Sequence, residues 1–341
     1  MVAQVQLEST SVRASAQKPV IALTPGDITG IGPEITVKLL ARPELWAPVC
    51  DLKIFGCKQT LQAQAQALGL KLPDSGWHIV DIQDAIKAAS PDARVGLISW
   101  HALEQAVAAI AAGEAHGLLT GPISKRRLVQ ANCPITSGHT EILAHFAKVH
   151  WPLQPCIPDM AFVYERFCVL LLTRHVPLMQ VRAVLTPQLV VSALDKLVAY
   201  LLANQPKQDG RALRVAVLGV NPHAEEIGGD EERDVLLPAL AQLRSAYPNV
   251  TFTDPLPADA AFRGLDPMRP PYNAYVAAYH DQGLIPMKLL AGLKATQITL
   301  GLPFWRSSVS HGTAEDIAGK GVADSASLSC ALKVLLGLIG R

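Results

Sequence analysis

Three histidines occupy the same kind of position in this sequence, directly after an apolar run and before a polar loop. They are His175 in LLLTRHVPL, His223 in VLGVNPHAEE and His280 in VAAYHDQG. Because ligand-binding groups meet at the carboxyl ends of parallel strands, three imidazoles at such ends are suited to hold a divalent cation with open positions for a substrate. Asp281, next to His280, is placed either to bind the cation or to orient the imidazole. The sequence therefore predicts a metal site.

A second group of residues is suited to bind anions. The segment GPISK (121–125) follows an apolar run and combines backbone N–H groups with a lysine, the ingredients of an anion nest. The segment SGHTE (137–141) begins a predicted helix, where Ser137 and the downstream glutamate also fit a capping box. Lys288 and Arg306 add cationic side chains that favour oxyanions. We expect these residues to bind a phosphate ester and a carboxylate.

A third segment, HGTAEDIAGKGVAD (311–324), has the features of a nucleotide-binding loop. Gly312 lets the backbone approach a ligand closely, and we expect a helix to start after this turn. Asp316 is the kind of residue that accepts hydrogen bonds from an adenosine ribose and repels a 2′-phosphate, which predicts NAD as the cofactor and disfavours NADP. The glycines of GDITGIGPE (26–34), by contrast, lack the spacing of a dinucleotide fingerprint.

The elements that must position these residues alternate along the chain. Apolar, β-branched runs predict strands at 19–24, 51–56, 117–120, 213–219, 250–253, 276–279 and 298–301. Helical patterns lie at 58–68, 101–115, 187–203 and 231–245, and two further helices are expected at the C-terminus. The apolar runs 159–164 and 167–173 predict an antiparallel hairpin.

This alternation predicts an α/β fold with two interleaved α/β/α lobes around a mostly parallel sheet that has an antiparallel part. We assign residues 19–130 plus 291–341 to lobe 1, on the nucleotide side. We assign residues 131–290 to lobe 2 and expect it to carry the metal and the substrate and, as the family resemblance described below implies, the dimer contacts. Residues 1–18, rich in Ser, Gln and Ala, are expected to be a disordered leader.

The composition limits the classes of function. With 30 Lys and Arg against 29 Asp and Glu, the net charge is +1, and nothing in it indicates binding to nucleic acid or to an anionic membrane. The six cysteines form no CxxC pair, which argues against a zinc ribbon or a disulfide framework. No run of about 18 apolar residues predicts a membrane span, and the N-terminus lacks the apolar core of a secretory signal. We expect a cytoplasmic protein with a small-molecule ligand.

Five segments of the sequence resemble, in order, the motifs of the 4-hydroxythreonine-4-phosphate dehydrogenase family. They are GDITGIGPE, SGHTEIL, NPHAEE, YHDQGLIPMK and ITLGLPFWRSSVSHGTAEDIAGKGVAD, and the resemblance extends over about residues 19–325. HGTAEDIAGKG is also similar to the nucleotide loop of isopropylmalate and isocitrate dehydrogenases. The resemblance implies an isopropylmalate dehydrogenase-like fold and oxidative decarboxylation.

The resemblance also implies roles for particular residues. One divalent metal ion, Zn2+, Mg2+ or Co2+, would be bound by His175, His223 and His280. His280 would come from the other subunit of a homodimer, so that the active site is shared. The substrate would be bound by His139, Thr140, Lys288, Gln297 and Arg306. Gln297 stands where the family usually has asparagine and reaches one methylene further.

The function implied is NAD-dependent oxidation and decarboxylation of 4-phosphohydroxy-L-threonine to 3-amino-2-oxopropyl phosphate, in pyridoxine 5′-phosphate biosynthesis. Lys288 and Asp281 are the candidates for proton transfer, and the sequence does not decide between them. One alternative is a sister dehydrogenase acting on D-threonate or D-erythronate 4-phosphate. Another is a phosphate acyltransferase or a non-catalytic phosphate-binding protein on a similar scaffold. The three histidines disfavour this last class, because neither role needs a cation beside a dinucleotide loop.

Overall fold

Eleven strands form one continuous sheet in the computed structural model, which describes residues 18–82, 90–204, 212–224 and 229–340. The strands are β1 (Val20–Thr24), β2 (Asp51–Gly56), β3 (Trp77–Asp81), β4 (Gly117–Thr120), β5 (Asp159–Tyr164), β6 (Phe167–Leu171), β7 (Leu213–Val217), β8 (Val250–Phe252), β9 (Ala274–Ala277), β10 (Thr296–Leu300) and β11 (Arg306–Val309). Their order across the sheet is β3-β2-β1-β4-β11-β10-β5-β6-β9-β7-β8. The predicted leader, apart from Lys18, lies outside the described residues.

Helices cover both faces of this sheet. They are α1 (Gly32–Leu40), α2 (Lys58–Ala67), α3 (Pro91–Ala111), α4 (Lys125–Gln130), α5 (His139–His150), α6 (Val181–Val184), α7 (Pro187–Asn204), α8 (Leu237–Ala246), α9 (Ala258–Ala261), α10 (His280–Ala291) and α11 (Ala326–Ile339). Short 3-10 helices span Pro43–Leu45, Leu178–Gln180 and Gly292–Lys294, and a π-helical turn, Glu232–Leu236, leads into α8.

The direction of the strands changes at the centre of the sheet. Seven of the ten strand pairs are parallel, and the three antiparallel pairs, β11-β10, β10-β5 and β5-β6, lie next to one another. Three successive reversals mean that the parallel groups on the two sides point in opposite directions, so their carboxyl ends lie at opposite edges. The predicted hairpin and the predicted α/β class, mostly parallel with an antiparallel part, are confirmed.

The sheet is buried on both faces, which explains the continuous apolar runs in the sequence. Ile21 and Leu23 of β1 pack on the side of α1, α2 and α11, whereas Ala22 packs on the side of α3. All strands of predicted lobe 1 are contiguous in the sheet order, and so are all strands of predicted lobe 2. Helix α5 crosses this boundary, because Phe146 packs with Trp100 of α3. The division into lobes stays a prediction.

The C-terminal segment differs from the prediction. Only one C-terminal helix, α11, is present in the described part of the chain, and residues 312–323 form loops and turns instead of a helix. The backbone groups of this segment bond to the N-terminal loops: Thr313 O accepts a hydrogen bond from Ile31 N at 2.9 Å. The buried Glu34 carboxylate accepts from the N–H groups of Gly321 and Ala323 at 3.2 and 2.8 Å. The backbone groups of residues 313, 321 and 323 thus form hydrogen bonds with distant partners, instead of the hydrogen bonds that they would form within the predicted helix.

Over the described residues, no single helix combines the length and apolarity needed to cross a membrane. The required length and apolarity are reached only when two consecutive helical segments are counted together, Leu178–Val184 and Pro187–Asn204. These two segments are bent by 91° relative to each other. All six cysteines are free thiols, and five of them are buried.

Candidate active site

A cavity of about 270 Å³ lies over the antiparallel centre of the sheet. Phe162 of β5, Gln297 of β10 and Ser308 of β11, which are partners in register, contribute to its lining. Seven of the residues predicted from the sequence also line it: His139, Thr140, His175, His280, Lys288, Gln297 and Gly312. Because the two parallel groups of strands point in opposite directions, these residues reach the cavity from both edges of the sheet.

His175 and His280 approach each other in the lining, with 6.0 Å between their ring centroids. His175 follows β6, and His280 is the first residue of α10, shortly after β9. These two strands are parallel neighbours, and Thr173 Oγ1 donates a hydrogen bond of 2.7 Å to Ala278 O between their ends. The convergence expected at the carboxyl ends of the strands is therefore observed for this pair.

His223 lies on the loop after β7, the next strand along the same edge, and is not one of the lining residues. Gln282 Nε2 donates a hydrogen bond of 2.7 Å to Gly219 O and thereby ties this loop to α10. Within the described residues, no group of three or more His, Cys, Asp or Glu side chains is placed to hold a metal ion. The complete three-histidine site, and the supply of His280 by a second subunit, stay predictions.

The backbone is unusual at two of these histidines. His175 has a φ of 30° and His223 has a φ of 60°, both in the left-handed region. This region costs a non-glycine residue on the order of 1–3 kcal/mol, and such residues cluster at ligand-binding sites. A buried carboxylate stabilises the loop of His223, because the Asn221 backbone N–H donates a hydrogen bond of 2.8 Å to Glu232 Oε1.

The paired histidines have the chemistry of cation ligands. Burial lowers the pKa of His175 below its usual value of 6.5, and the nearby Lys125 and His280 lower it further. The imidazole is therefore neutral near pH 7 and keeps a lone pair for a cation. His280 Nδ1 lies 2.7 Å from Asp281 Oδ1. When Nδ1 carries the proton of this hydrogen bond, Nε2 of His280 has a free lone pair that can bind a metal ion. His175 and His280 together therefore fit a divalent transition-metal ion.

Arg306 lies beneath the cavity and is only 1% exposed. Its Nη1 donates to Gln297 Oε1 at 2.5 Å and to Thr299 Oγ1 at 3.0 Å, and its Nη2 donates to Thr120 Oγ1 at 2.7 Å. Burial lowers the pKa of the guanidinium to about 9, so the group remains charged at neutral pH. These hydrogen bonds all go to neutral oxygens, and no carboxylate of the described residues forms an ion pair with Arg306, so the buried positive charge is uncompensated within that part of the chain. An anion bound in the cavity would compensate it.

His139 and Thr140 begin α5 at the wall of the cavity. The predicted cap by Ser137 is wrong: the N-cap is Gly138, with a φ of 134°, and no side chain caps the helix. Burial lowers the pKa of His139 well below 6.5, and the charge of Arg306 acts in the same direction. The buried His139 Nε2 has no hydrogen-bond partner among the residues that the structure describes. The first turn of α5 therefore presents an open helix N-terminus and a neutral imidazole to an anionic ligand.

Two lysines complete the cationic lining. Lys125 is the first residue of α4, at the end of the GPISK segment, and Lys288 projects from α10.

Sequence reasoning missed two residues at this site. Thr120 gave only the faint signal of a hydroxyl at the end of an apolar strand, and Glu141, which lines the cavity, was interpreted only as a capping residue.

The predicted nucleotide loop, residues 311–324, reaches the cavity only at its first two residues, His311 and Gly312. Gly312 is part of the lining, whereas Asp316 is exposed and is not. The loop is packed against the GDITG turn so closely that a Cβ at Gly30 would lie 2.6 Å from Thr313 O. Gly26, with a φ of 87°, leaves equally little room, since a Cβ there would lie 2.1 Å from Pro122 O. These glycines serve close packing between loops, in agreement with their lack of a dinucleotide spacing.

The fold and the site define an α/β protein with a cavity whose lining includes two lysines and a pair of potential metal ligands, His175 and His280. Residues 37–335 match the model of the family described as pyridoxal phosphate biosynthetic protein PdxA. The chain belongs to this family, and it is an oxidoreductase.

Individual proteins agree with this assignment. The chain is 38% identical to the 4-hydroxythreonine-4-phosphate dehydrogenase of Synechocystis sp. over 94% of this chain and 96% of that protein. It is similar to the crystal structure of the Klebsiella pneumoniae 4-hydroxythreonine-4-phosphate dehydrogenase, with a TM-score of 0.78, 31% identity and coverage of 96% and 100% of the two chains. A branched-chain phosphotransacylase from Enterococcus faecalis, with a TM-score of 0.56 and 13% identity over 94% of this chain and 99% of that chain, shares the fold alone.

Proposed function

We propose that this protein oxidises and decarboxylates 4-phosphohydroxy-L-threonine to 3-amino-2-oxopropyl phosphate with NAD and a divalent metal ion, as a step of pyridoxine 5′-phosphate biosynthesis. The observation that carries the proposal is the uncompensated Arg306 guanidinium beneath the cavity. The names of the relatives from Synechocystis sp. and Klebsiella pneumoniae support the same reaction. A cationic, partly buried cavity suits a substrate that carries both a phosphate and a carboxylate.

The proposed roles follow from the positions of the side chains. His139, Thr140 and Lys288 line the cavity and would contact the anionic groups of the substrate. Gln297 holds Arg306 and also lines the cavity, so it would set the position of the guanidinium relative to the bound anion.

Proton transfer is assigned to Lys288 rather than to Asp281. Lys288 lines the cavity, whereas the Asp281 carboxylate is bonded to His280 and its side chain is 72% exposed. Lys288 would remove the hydroxyl proton as the hydroxyl carbon is oxidised to a ketone. The ketone is β to the carboxylate, so CO2 is lost and a proton returns to the neighbouring carbon. Asp281 would orient the His280 imidazole.

The metal ion would be held by His175 and His223 of one subunit together with His280 of the second subunit of a homodimer. It would supply Lewis acidity that lowers the pKa of the substrate hydroxyl. The chemistry that NAD would supply when bound is acceptance of the hydride from the hydroxyl carbon of the substrate. The 311–324 loop, with Gly312 in the cavity lining and Asp316 at an exposed position, would bind the nucleotide and favour NAD over NADP.

A sister activity on D-threonate or D-erythronate 4-phosphate is the second candidate. The specific feature that favours it is Gln297, since this residue stands at the substrate-facing end of β10 where the family usually has asparagine. The chemistry is the same for these acids, and only the group at C2 differs.

The test is NADH formation from the three 4-phosphorylated acids, with and without a chelator. We expect the highest kcat/KM with 4-phosphohydroxy-L-threonine, loss of activity with the chelator, and its return with Zn2+, Co2+ or Mg2+. Arg306→Lys keeps a positive charge but loses the fork of hydrogen bonds, so the KM should rise at least tenfold (about 1.4 kcal/mol). Oxidation of only the hydroxy acids, or full turnover by demetallated enzyme, would contradict the proposal.

A further inference from the structure

The predicted nucleotide loop is connected to a single helix near both of its ends. Near the start of the loop, Thr313 O accepts a hydrogen bond of 2.9 Å from the backbone N–H of Ile31, the N-cap residue of α1. Near the end of the loop, the side chains of Glu34 and Lys38 of α1 form hydrogen bonds with the loop backbone. The position of the loop therefore depends on α1.

The contacts at the end of the loop form a closed network. The buried Glu34 carboxylate accepts hydrogen bonds from the N–H groups of Gly321 and Ala323 at 3.2 and 2.8 Å. Lys38 Nζ donates to the carbonyl oxygens of the same two residues at 2.9 and 2.6 Å, and to Glu34 Oε1 at 2.8 Å. All three hydrogens of the ammonium group are thereby engaged, so Lys38 is not available to bind a ligand.

The conformation of the loop requires such external contacts. Residues 312–323 form loops and turns, and three of them have a φ in the left-handed region: Ala314 at 43°, Gly319 at 73° and Gly321 at 73°. This region is unfavourable for an alanine, and strained backbone persists only where the surrounding structure fixes it. The hydrogen bonds from α1 are contacts of this kind.

Parts of the loop backbone are open to a ligand. Gly312 and Gly319 are exposed, and a Cβ at either glycine would have no atom of the described chain within 4 Å, apart from its own neighbours in the sequence. Gly312 also lines the cavity. At Gly321, by contrast, a Cβ would lie 2.9 Å from Leu68 Cδ2. A ligand on this loop would contact backbone groups, and such contacts form only when the backbone is held in the right place.

We propose that Glu34 and Lys38 are positioning residues for the cofactor: as a pair they hold the predicted nucleotide loop in the conformation that binds NAD, without contacting NAD themselves. This inference rests on the proposed function, because it takes the loop as the NAD site. The competing explanation is a contribution to stability alone. A buried ion pair is weak evidence for such a contribution, because the cost of removing the two charges from water offsets much of their attraction.

The experiment measures the dissociation constants of NAD and of 4-phosphohydroxy-L-threonine by calorimetry with Zn2+ present, for the wild-type protein, Glu34→Gln and Lys38→Met. Glutamine keeps the shape of glutamate, but its amide N–H groups would face other donors. Methionine keeps an unbranched, flexible side chain and loses all three donors. We expect each variant to weaken NAD binding at least tenfold and to leave the binding of the phosphorylated acid within threefold.

Leu240→Ala is the control for a loss of stability. Leu240 is a buried residue of α8, which packs in a different hydrophobic cluster from α1. Its truncation should lower the thermal midpoint and leave the binding of NAD unchanged. If Glu34→Gln does not fold, Lys38→Met decides the result, because Lys38 is partly exposed and its replacement is better tolerated.

Unchanged NAD binding in the folded variants would overturn the role of the pair. Equal losses for NAD and for the acid, or the same loss of NAD binding in Leu240→Ala, would overturn it as well. Failure of the proposed function has a different signature, namely no NADH from the acid with a wild-type enzyme that binds NAD. If the wild-type protein does not bind NAD, both the function and the inference are wrong.

Discussion

Gln297 Oε1 accepts a hydrogen bond of 2.5 Å from Arg306 Nη1 beneath the cavity, between neighbouring antiparallel strands. This contact leaves the guanidinium charge free to attract an anion. Gln297→Glu would place a carboxylate at the same distance and neutralise that charge. We expect the KM for the phosphorylated substrate to rise at least tenfold, with a smaller change in kcat, in steady-state assays.

Gln297→Asn is the control for this prediction. The asparagine side chain is one methylene shorter than that of glutamine and keeps the neutral amide, so we expect the KM to rise only a few-fold. If the glutamate and asparagine variants have the same KM as the wild type, Arg306 does not act on the substrate through this cavity.

The hydrogen bond between His280 and Asp281 leads to a prediction about metal affinity. Asp281→Asn removes the carboxylate that orients the imidazole, and loss of such a partner typically weakens metal binding by about 10–100-fold. Titration of Zn2+ into demetallated protein measures the effect. The thermal midpoint of the metal-free protein should hardly change, because the Asp281 side chain is largely exposed. Unchanged affinity would show that His280 is not a ligand oriented in this way.

The shared site can be tested by mixing inactive variants. His280→Ala and His223→Ala should each abolish NADH formation, and subunit exchange between them should restore activity if His280 comes from the opposite subunit. Half of the dimers are then mixed, and each mixed dimer has one intact site, so about a quarter of wild-type activity should return.

The control for this experiment is the pair His175→Ala and His223→Ala. Both lesions fall on the same side of the predicted interface, so every site keeps a lesion and no activity should return. Rescue by the control pair, or none by the first pair after exchange has been demonstrated, would argue against a shared site of this composition.

Asp316 leads to a prediction about cofactor choice. Its charge should repel the 2′-phosphate of NADP, so the wild-type enzyme should have a much higher kcat/KM with NAD. Asp316→Ala should lower the ratio of kcat/KM with NAD to kcat/KM with NADP, mainly because the variant binds NAD less tightly. Glu315→Gln, at the adjacent residue that pairs with Arg126, is the control. Equal use of both cofactors by the wild type would contradict the role of Asp316.

The lowered pKa of His139 predicts how stability depends on pH. Below about pH 6.5, the unfolded chain binds a proton at this histidine that the folded chain does not bind. The free energy of unfolding should therefore fall as the pH drops below 6.5, by up to about 1.4 kcal/mol per pH unit for one such group. His139→Gln should flatten this dependence in urea titrations with chelator present. His150→Gln, at an exposed position of the same helix, controls for the substitution, and an unchanged slope in His139→Gln would refute the prediction.

Local patterns in the sequence determined most of the elements and several of the site residues. Continuous apolar runs identified β1, β4 and the β5-β6 hairpin, because strands buried on both faces need such runs. His175 and His280 were found because each follows a strand, and the structure brings them together. These features depend on neighbours within a few residues, which a sequence contains directly.

Other features were decided only by the tertiary structure. The opposite directions of the two parallel groups depend on three non-local strand pairings, which periodicity does not encode. The second C-terminal helix was predicted wrongly because residues 321 and 323 bond to Glu34, which lies far away in the sequence. Arg306 could be recognised as a cation, but its burial depends on Thr120, 186 residues away. An uncompensated charge in a site arises from such distant contacts, and their geometry is fixed only when the whole sheet has assembled.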